Sequence, residues 1–376
     1  MSRQKKLALA AGAVAAGGVG FAWASLGLPA LGATPAGERL ARIRASSNFQ
    51  GGKAKNLVDR PMAAEGASML GTGARWITEH HKARPDVEIP VVKPSPASLE
   101  PQGERLRATW LGHSSVLLEI DGHLLLTDPA LGPRAAPVSW AGPQRFFASP
   151  IDIASLPELD AVIISHDHYD HLDHRTIQAL AGTGVRFLVP LGVGAHLEAW
   201  GVEPGYITEL DWWESAELGD LRLVCTPAHH FSGRGLLDRE RTLWSSWAVL
   251  GPVHRAWFGG DTGPLEAADL IADRYGPFDL TMIEIGAYDV AWASIHAGPD
   301  AAVELHRQVG GRAMLPIHHG TYDLALHDWD QPIVRVQQLA EEQGVQLLVP
   351  LPGETVDAQG GYVAEFWRGR RVVSGD

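Results

Sequence analysis

Cysteine is almost absent from this chain: Cys225 is the only one in 376 residues. That rules out an internal disulfide. Cys225 stands in the apolar run Leu221–Thr226, a place for a small buried hydrophobe, and no neighbour there activates it as a nucleophile. Basic residues are also in deficit, with 31 Lys and Arg against 44 Asp and Glu and a net charge of −13. Gripping a phosphate backbone needs a basic surface, so a nucleic-acid partner is excluded. No internal repeat is visible. Charge is missing altogether between Leu7 and Ala33, an Ala/Gly-rich run preceded by Arg3, Lys5 and Lys6. At about 1.5 Å rise per residue such a run can span a hydrocarbon core of roughly 30 Å. Positive charges at the start keep that end cytoplasmic and send the remainder to the periplasmic side. Ala22-Trp23-Ala24 also fits a small-x-small cleavage signal. Residues 1–33 are therefore expected to be a membrane anchor, or a signal segment whose removal leaves a periplasmic protein.

The rest of the composition is that of a globular chain, 45% hydrophobic and 20% charged. Residues 34–104 hold seven prolines and little periodicity. They are expected to form an irregular extension lying against the following domain, with a short helix over Met69–His80. From Leu106 the pattern becomes regular. Strand-like runs at 106–111, 115–120 and 123–127 open residues 105–376, with Asp121-Gly122 as a tight turn. Apolar strands then alternate with helical patterns: strand 160–165, helix 174–181, strand 185–189, helix 193–200. Further strands are expected near 221–226, 245–250, 254–259, 279–283, 312–317 and 345–349, with helices near 265–274, 299–309 and 331–343. Strands first and strand–helix units after imply an α/β fold of two mixed sheets with outer helices.

What the sequence does have is Ser165-His166-Asp167-His168-Tyr169-Asp170-His171-Leu172-Asp173, straight after the apolar run Ala161–Ile164. His166 and His168 alternate and can reach one metal ion; Asp170 and His171 can reach a second. Imidazole and carboxylate without thiolate suit zinc or a similar divalent ion. Later histidines and a carboxylate also follow strand-like runs: His229-His230 after Leu221–Thr226, Asp261 after Ala256–Phe258, and His318-His319 after Ala313–Ile317. With its H-x-H-x-D-H spacing the chain resembles the metallo-β-lactamase superfamily. The resemblance implies an αβ/βα sandwich binding two divalent ions, taken to be zinc. It assigns His166, His168 and His230 to one ion, Asp170, His171 and His318 to the other, and Asp261 to both. Such a pair lowers the pKa of coordinated water and supplies a hydroxide for attack on phosphorus or a carbonyl carbon.

Between these motifs the chain resembles the N-acylphosphatidylethanolamine-hydrolysing phospholipase D family. The similarity lies in Leu111-Gly112-His113-Ser114-Ser115, Leu126-Thr127-Asp128-Pro129, Pro137–Pro143, Thr226-Pro227-Ala228-His229-His230-Phe231-Ser232, Leu243–Trp247 and Ile285-Gly286-Ala287-Tyr288-Asp289. It covers roughly residues 105–355 and favours His230 over His229. Ala291 stands where mammalian members carry Arg. The resemblance implies a phosphodiesterase acting on a phospholipid; membrane association is expected from the N-terminal segment, which is not a general feature of that family. Asp170 and His296 are the residues assigned to catalysis, His296 contacting the phosphate or protonating the leaving alkoxide. Asp128 is expected behind a metal-bound imidazole; Asp167 is either another such partner or a solvated loop residue. His113 either caps a strand or lines the site. Trp247 is expected in the core, and Trp212-Trp213 in a loop that exposes one indole. A lactonase or other carbonyl hydrolase, and a membrane-tethered binding module that keeps a metal site, are the alternatives.

Overall fold

Successive strand residues point to opposite faces of a sheet, and the segments 115–120 and 161–164 carry buried apolar residues on both faces. Val116, Leu118, Ala161 and Ile163 join one core cluster. Leu117, Val162 and Ile164 join a second, with Ile177, Leu180 and Leu197 from two helices. A sheet buried on both faces needs a layer on each side. The computed structural model, which describes residues 28–368 except 65, 68–70, 73, 74 and 76–80, supplies those layers. Two mixed sheets face each other and helices cover the outside.

A short hairpin, β1 (Phe49–Gln50) with β2 (Lys53–Ala54), precedes the sandwich. The first sheet has the order β16 (Thr355–Asp357), β3 (Leu106–Gly112), β4 (Ser115–Ile120), β5 (His123–Thr127), β6 (Ala161–Ile163), β7 (Arg186–Pro190), β8 (Ile207–Leu210). The second runs β17 (Tyr362–Val363), β15 (Gln346–Val349), β14 (Gly311–Ile317), β13 (Phe278–Glu284), β12 (Arg255–Phe258), β11 (Ser246–Leu250), β10 (Leu221–Thr226), β9 (Ser215–Leu218). Strand direction decides where the functional loops emerge. β3 and β5 are both antiparallel to β4, and β6 is parallel to β5. β10 and β12 are both antiparallel to β11, and β13 and β14 continue parallel to β12. The C-terminal ends of β3, β5 and β6 therefore share one edge of their sheet. Those of β10, β12, β13 and β14 share one edge of the other.

Trp247 and Cys225 are cross-strand partners and both are fully buried, as their apolar contexts predict. The Trp247 indole N–H donates to Ile164 O at 2.9 Å and so ties the second sheet to the loop that leaves β6. The tryptophan pair differs from expectation. Trp212 is buried and donates to Trp244 O, and Trp213 stacks on Tyr275 beneath Arg274. Among the described residues the open indole is Trp140, 72% exposed. β8, β9, β16 and β17 were not legible, because short strands of mixed burial carry no alternation.

The interval expected to be irregular contains a nine-residue helix, Gly37–Ala45, whose Arg39 pairs with Glu198 and Glu209. Residues 1–27 of the expected anchor, and most of 69–80, lie outside the described residues. Among the described residues no helix is long and apolar enough to cross a membrane. The last residues of that expected segment make contacts with the globular part. Pro29 O accepts from the Trp200 indole at 2.6 Å, Ala30 O from Arg234 Nε at 2.8 Å, and Ala33 N donates to His196 Nδ1 at 3.1 Å. Arg234 is buried, so its guanidinium depends on such carbonyls. Leaving a buried donor unmet costs about 1–3 kcal/mol. Protein starting at residue 28 should therefore melt like the longer chain, whereas protein starting at residue 34 should lose about 2 kcal/mol or more. Urea unfolding of the two truncations measures the difference; equal midpoints would show that residues 28–33 add nothing.

Candidate metal centre

The loop that leaves β6 is shaped at both ends. At its far end Asp173 caps the helix His174–Leu180, accepting from Thr176 N at 3.1 Å and Thr176 Oγ1 at 2.6 Å. Within it, Arg234 donates to the carbonyls of Asp167 and Leu172 and lies over the Tyr169 and Trp200 rings. Asp167 is no partner of the clustered imidazoles. It is buried and takes Gly233 N at 2.7 Å, Thr242 Oγ1 at 2.8 Å and His196 Nε2 at 3.3 Å, so it braces the loop against the segment after β10.

Held this way, the loop meets residues from the second sheet. His166 Nε2 lies 2.8 Å from His168 Nδ1, which lies 3.3 Å from His230 Nε2. Asp170 Oδ2 lies 3.6 Å from His171 Nε2 and 3.4 Å from His318 Nε2. Asp261 Oδ2 stands between the two groups, 3.1 Å from His171 Nε2, 3.2 Å from His318 Nε2, 3.6 Å from His230 Nε2 and 3.9 Å from His166 Nε2. The structure thus gathers all seven expected donors. His166, His168, His230 and Asp261 have donor atoms within 4.8 Å of one another, as do His113, Asp170, His171 and His318. Of the neighbouring pairs, His229 turns toward Glu266, 3.5 Å away, and His319 stacks on Trp110 with ring centroids 4.8 Å apart. Neither joins the cluster.

The outer nitrogens explain why the inner ones face inward. His171 Nδ1 bonds Asp128 Oδ2 at 2.6 Å, and Asp128 also accepts from Ser165 N and Oγ. Ser165 Oγ, having donated to Asp128, accepts from His166 Nδ1 at 2.9 Å. His230 Nδ1 donates to Ile295 O at 3.0 Å. Each outer bond fixes a ring orientation and leaves Nε2 as a lone pair, the arrangement a metal site demands of imidazole. His113 sits at the end of β3 with its Nε2 2.9 Å from Asp170 Oδ2, so it steadies that carboxylate.

Electrostatics follow the same division. Burial, reinforced by neighbouring imidazoles, pushes His166 and His230 well below the usual imidazole range. Burial and His318 push His113 down to about 3. Burial also opposes a charge on His171, but Asp261, Asp170 and Asp128 outweigh it and raise that group well above its usual value. Asp261 and Asp170 are held well below the carboxylate range despite burial, chiefly by His171. The ionised carboxylates and the neutral imidazoles of His166 and His230 are in the states that a divalent cation requires, whereas His171 and His318, raised by Asp261 against the opposing effect of burial, hold protons that a bound cation would displace.

Three features escaped the sequence reading. Ser165 links Asp128 to His166. Asn56, in the extension, accepts from His230 N at 3.1 Å and donates to His230 O at 2.9 Å, clasping that residue's backbone. Glu284 ends β13 fully buried, 2.7 Å from His296 Nδ1, and burial pushes its carboxyl up. His296 lies beside the cluster, its ring centroid 5.1 Å from that of His230 and 5.3 Å from that of His318. A lone charge at the end of the apolar run Leu280–Ile283 was the available signal for Glu284; for Asn56 there was none.

The donor set fits a pair of divalent ions. His171 Nε2, His318 Nε2 and Asp261 Oδ1 are buried without a hydrogen-bond partner, a costly state that a cation would relieve. Residues 123–319 match the beta-lactamase superfamily domain, a fold whose proteins bind divalent metals. An uncharacterized protein of Mycobacterium tuberculosis is 46% identical over 359 residues, 92% of this chain and 95% of that one. N-acyl-phosphatidylethanolamine-hydrolyzing phospholipase D 1 of Caenorhabditis elegans is 40% identical over 236 residues, 60% of this chain and 66% of that one. Among solved structures, isothiocyanate hydrolase from Delia radicum gut bacteria superposes with a TM-score of 0.54 at 18% identity, covering 68% of this chain and all of that one. At that identity the likeness is one of fold.

Metal analysis by mass spectrometry should find about two divalent ions per chain, the number such a paired donor set accommodates. Asp261→Ala should lower both occupancies, because its carboxylate touches both groups. Asp128→Asn should weaken one ion by about 10–100-fold, the usual cost of losing the partner behind an imidazole ligand. Two retained ions in Asp261→Ala would remove that residue from its shared position.

Proposed function

The chain belongs to the beta-lactamase superfamily domain family, and on that premise we propose a dinuclear zinc hydrolase of the phospholipase D type, acting on (N-acyl)phosphatidylethanolamine-like lipids. That it is a metallo-β-lactamase-fold hydrolase follows from family and fold. The carrying observation for the finer reading is the shared carboxylate Asp261 between two histidine groups, in a chain 40% identical over 60% of its length to a phospholipase D of that specificity.

In this reading His166, His168 and His230 hold one ion, Asp170, His171 and His318 the second, and Asp261 both. When bound, such ions supply Lewis acidity toward phosphoryl oxygens and water of lowered pKa. The chain's own part is orientation and proton handling. Asp128, Ser165 and the Ile295 carbonyl fix the rings, and Asn56 fixes the His230 backbone. His296 lies beside the cluster and is partly open, with side-chain exposure of 13% against 2% or less for His171, His230 and His318. It holds a proton for the head-group oxygen. As the bond between phosphorus and that oxygen breaks, its electron pair leaves on the oxygen and captures the proton from His296. The water consumed adds OH to phosphorus and returns a proton to the ring. The products are phosphatidic acid and ethanolamine or N-acylethanolamine.

The uncharged stretch that starts at Leu7 behind three cations, ahead of the packed residues 28–33, supports membrane association with the hydrolase on the periplasmic side. Sedimentation of the full chain with membranes after a high-salt wash tests this; a mature N-terminus at Ser25 would mean a cleaved, periplasmic protein.

Products released from defined phospholipids test the bond assignment by mass spectrometry. Phosphatidic acid and the free head group are expected. Lysophospholipid with fatty acid, or diacylglycerol with a phosphorylated head group, would overturn it. Rapid lactone opening without any phospholipid turnover would move the activity to carbonyl substrates. His296→Ala should keep both ions while kcat falls ~10²-fold or more, the scale of a lost general acid.

A further inference from the structure

Glu284 sits between the two strands that deliver Asp261 and His318, and its side chain is fully buried. A buried carboxylate is costly unless donors meet its oxygens. Here they do. Oε1 accepts from Thr262 N at 2.8 Å and Ala297 N at 3.2 Å, and Oε2 faces His296 Nδ1 at 2.7 Å. Thr262 follows Asp261 in the chain and Ala297 follows His296, so one carboxylate ties the shared donor's loop to the proton-holding ring. None of the metal groups proposed above uses it, although its donor atoms stand within 4.8 Å of those of Asp261, His296 and His318. With Oε1 spent on two amides and Oε2 on an imidazole N–H, it has little left for a cation. A backbone staple alone would not need the imidazole.

Resting on the hydrolase reading, we propose that Glu284 is a positioning residue for His296. It holds Nδ1–H toward the protein interior, so that Nε2, on the opposite edge of the more open ring, meets the leaving oxygen. The carboxylate compensates the positive charge of a proton carried at Nε2. This is the carboxylate–imidazole arrangement that orients a general acid or base in many enzymes.

Glu284→Gln keeps a carbonyl for the two amides but presents an amide N–H to Nδ1, which reverses the tautomer of the ring. The variant should retain two ions by mass spectrometry and a KM within about twofold of wild type. Its kcat should fall ~10²-fold on an ethanolamine phospholipid. On a p-nitrophenyl phosphodiester, whose leaving group departs without a proton, the loss should be under about threefold. Glu284→Gln placed on His296→Ala should add no further loss. Nitrogen NMR of the imidazoles gives a readout independent of turnover: at a pH where the His296 ring is neutral, its remaining proton should lie on Nδ1 in wild type and on Nε2 in Glu284→Gln. Equal losses on both esters, loss of metal, or an unchanged tautomer would overturn the assignment. Should Glu284→Gln fail to fold, Glu284→Asp, which withdraws the charge by one methylene, must show the same ester discrimination or the assignment falls. Wild-type protein that hydrolyses neither ester would instead refute the hydrolase reading beneath it, and the positioning role with it.

Discussion

A single carboxylate oxygen, Asp261 Oδ2, lies within 4 Å of an imidazole nitrogen from His166, His171, His230 and His318. Crowding of this kind is unfavourable in isolation. Imidazoles packed together suppress one another's charge, and buried carboxylates need positive partners. What keeps the group from relaxing is the outer layer, where Asp128, Ser165 and the Ile295 carbonyl occupy the outer nitrogens of His171, His166 and His230. Orientation in this centre comes from those outer bonds, and chemistry from the inner atoms they leave free.

The outer layer depends in turn on contacts that lie far apart in the chain. Trp247 reaches from one sheet to the carbonyl of Ile164 at the mouth of the β6 loop. Arg234 holds the same loop from beneath through two of its carbonyls, and Ala30 occupies a third direction of the guanidinium. Asn56 clasps His230 from the extension. Each contact meets a buried donor that would otherwise be costly. The catalytic edge and the N-terminal segment are therefore one packing problem.

The sandwich and its inner donors were legible because both leave periodic or clustered marks. Apolar runs such as Ala161–Ile164 and Ala313–Ile317 end in histidine, and strand period alone places those ends on an edge. Residues defined by distance in space left no such mark. Asn56 acts on a residue 174 positions away, and β16 pairs with β3 across 246 positions, at Thr355 and Thr109. Glu284 is intermediate. Its charge interrupts an apolar strand, which signals a buried carboxylate, but nothing local names His296 as its partner. The tryptophans show the limit of composition, since Trp212 and Trp213 adjoin a charged residue yet pack, while Trp140 stands open.

No hydrogen-bonded ladder joins the two sheets among the described residues, yet each donor group draws on both. His166 and His168 come from the first sheet and His230 from the second; Asp170 and His171 come from the first and His318 from the second. Neither half of the chain can assemble either group alone. Closing these contacts requires segments from 62 positions apart, at His168 and His230, to well over a hundred, at His171 and His318, to meet, and contacts of such sequence separation form late, after local pairings have lowered the entropic barrier. On the assignment proposed above, capture of the ions marks the docking of two finished halves and does not nucleate either. A halted folding intermediate would then hold native sheets and no metal.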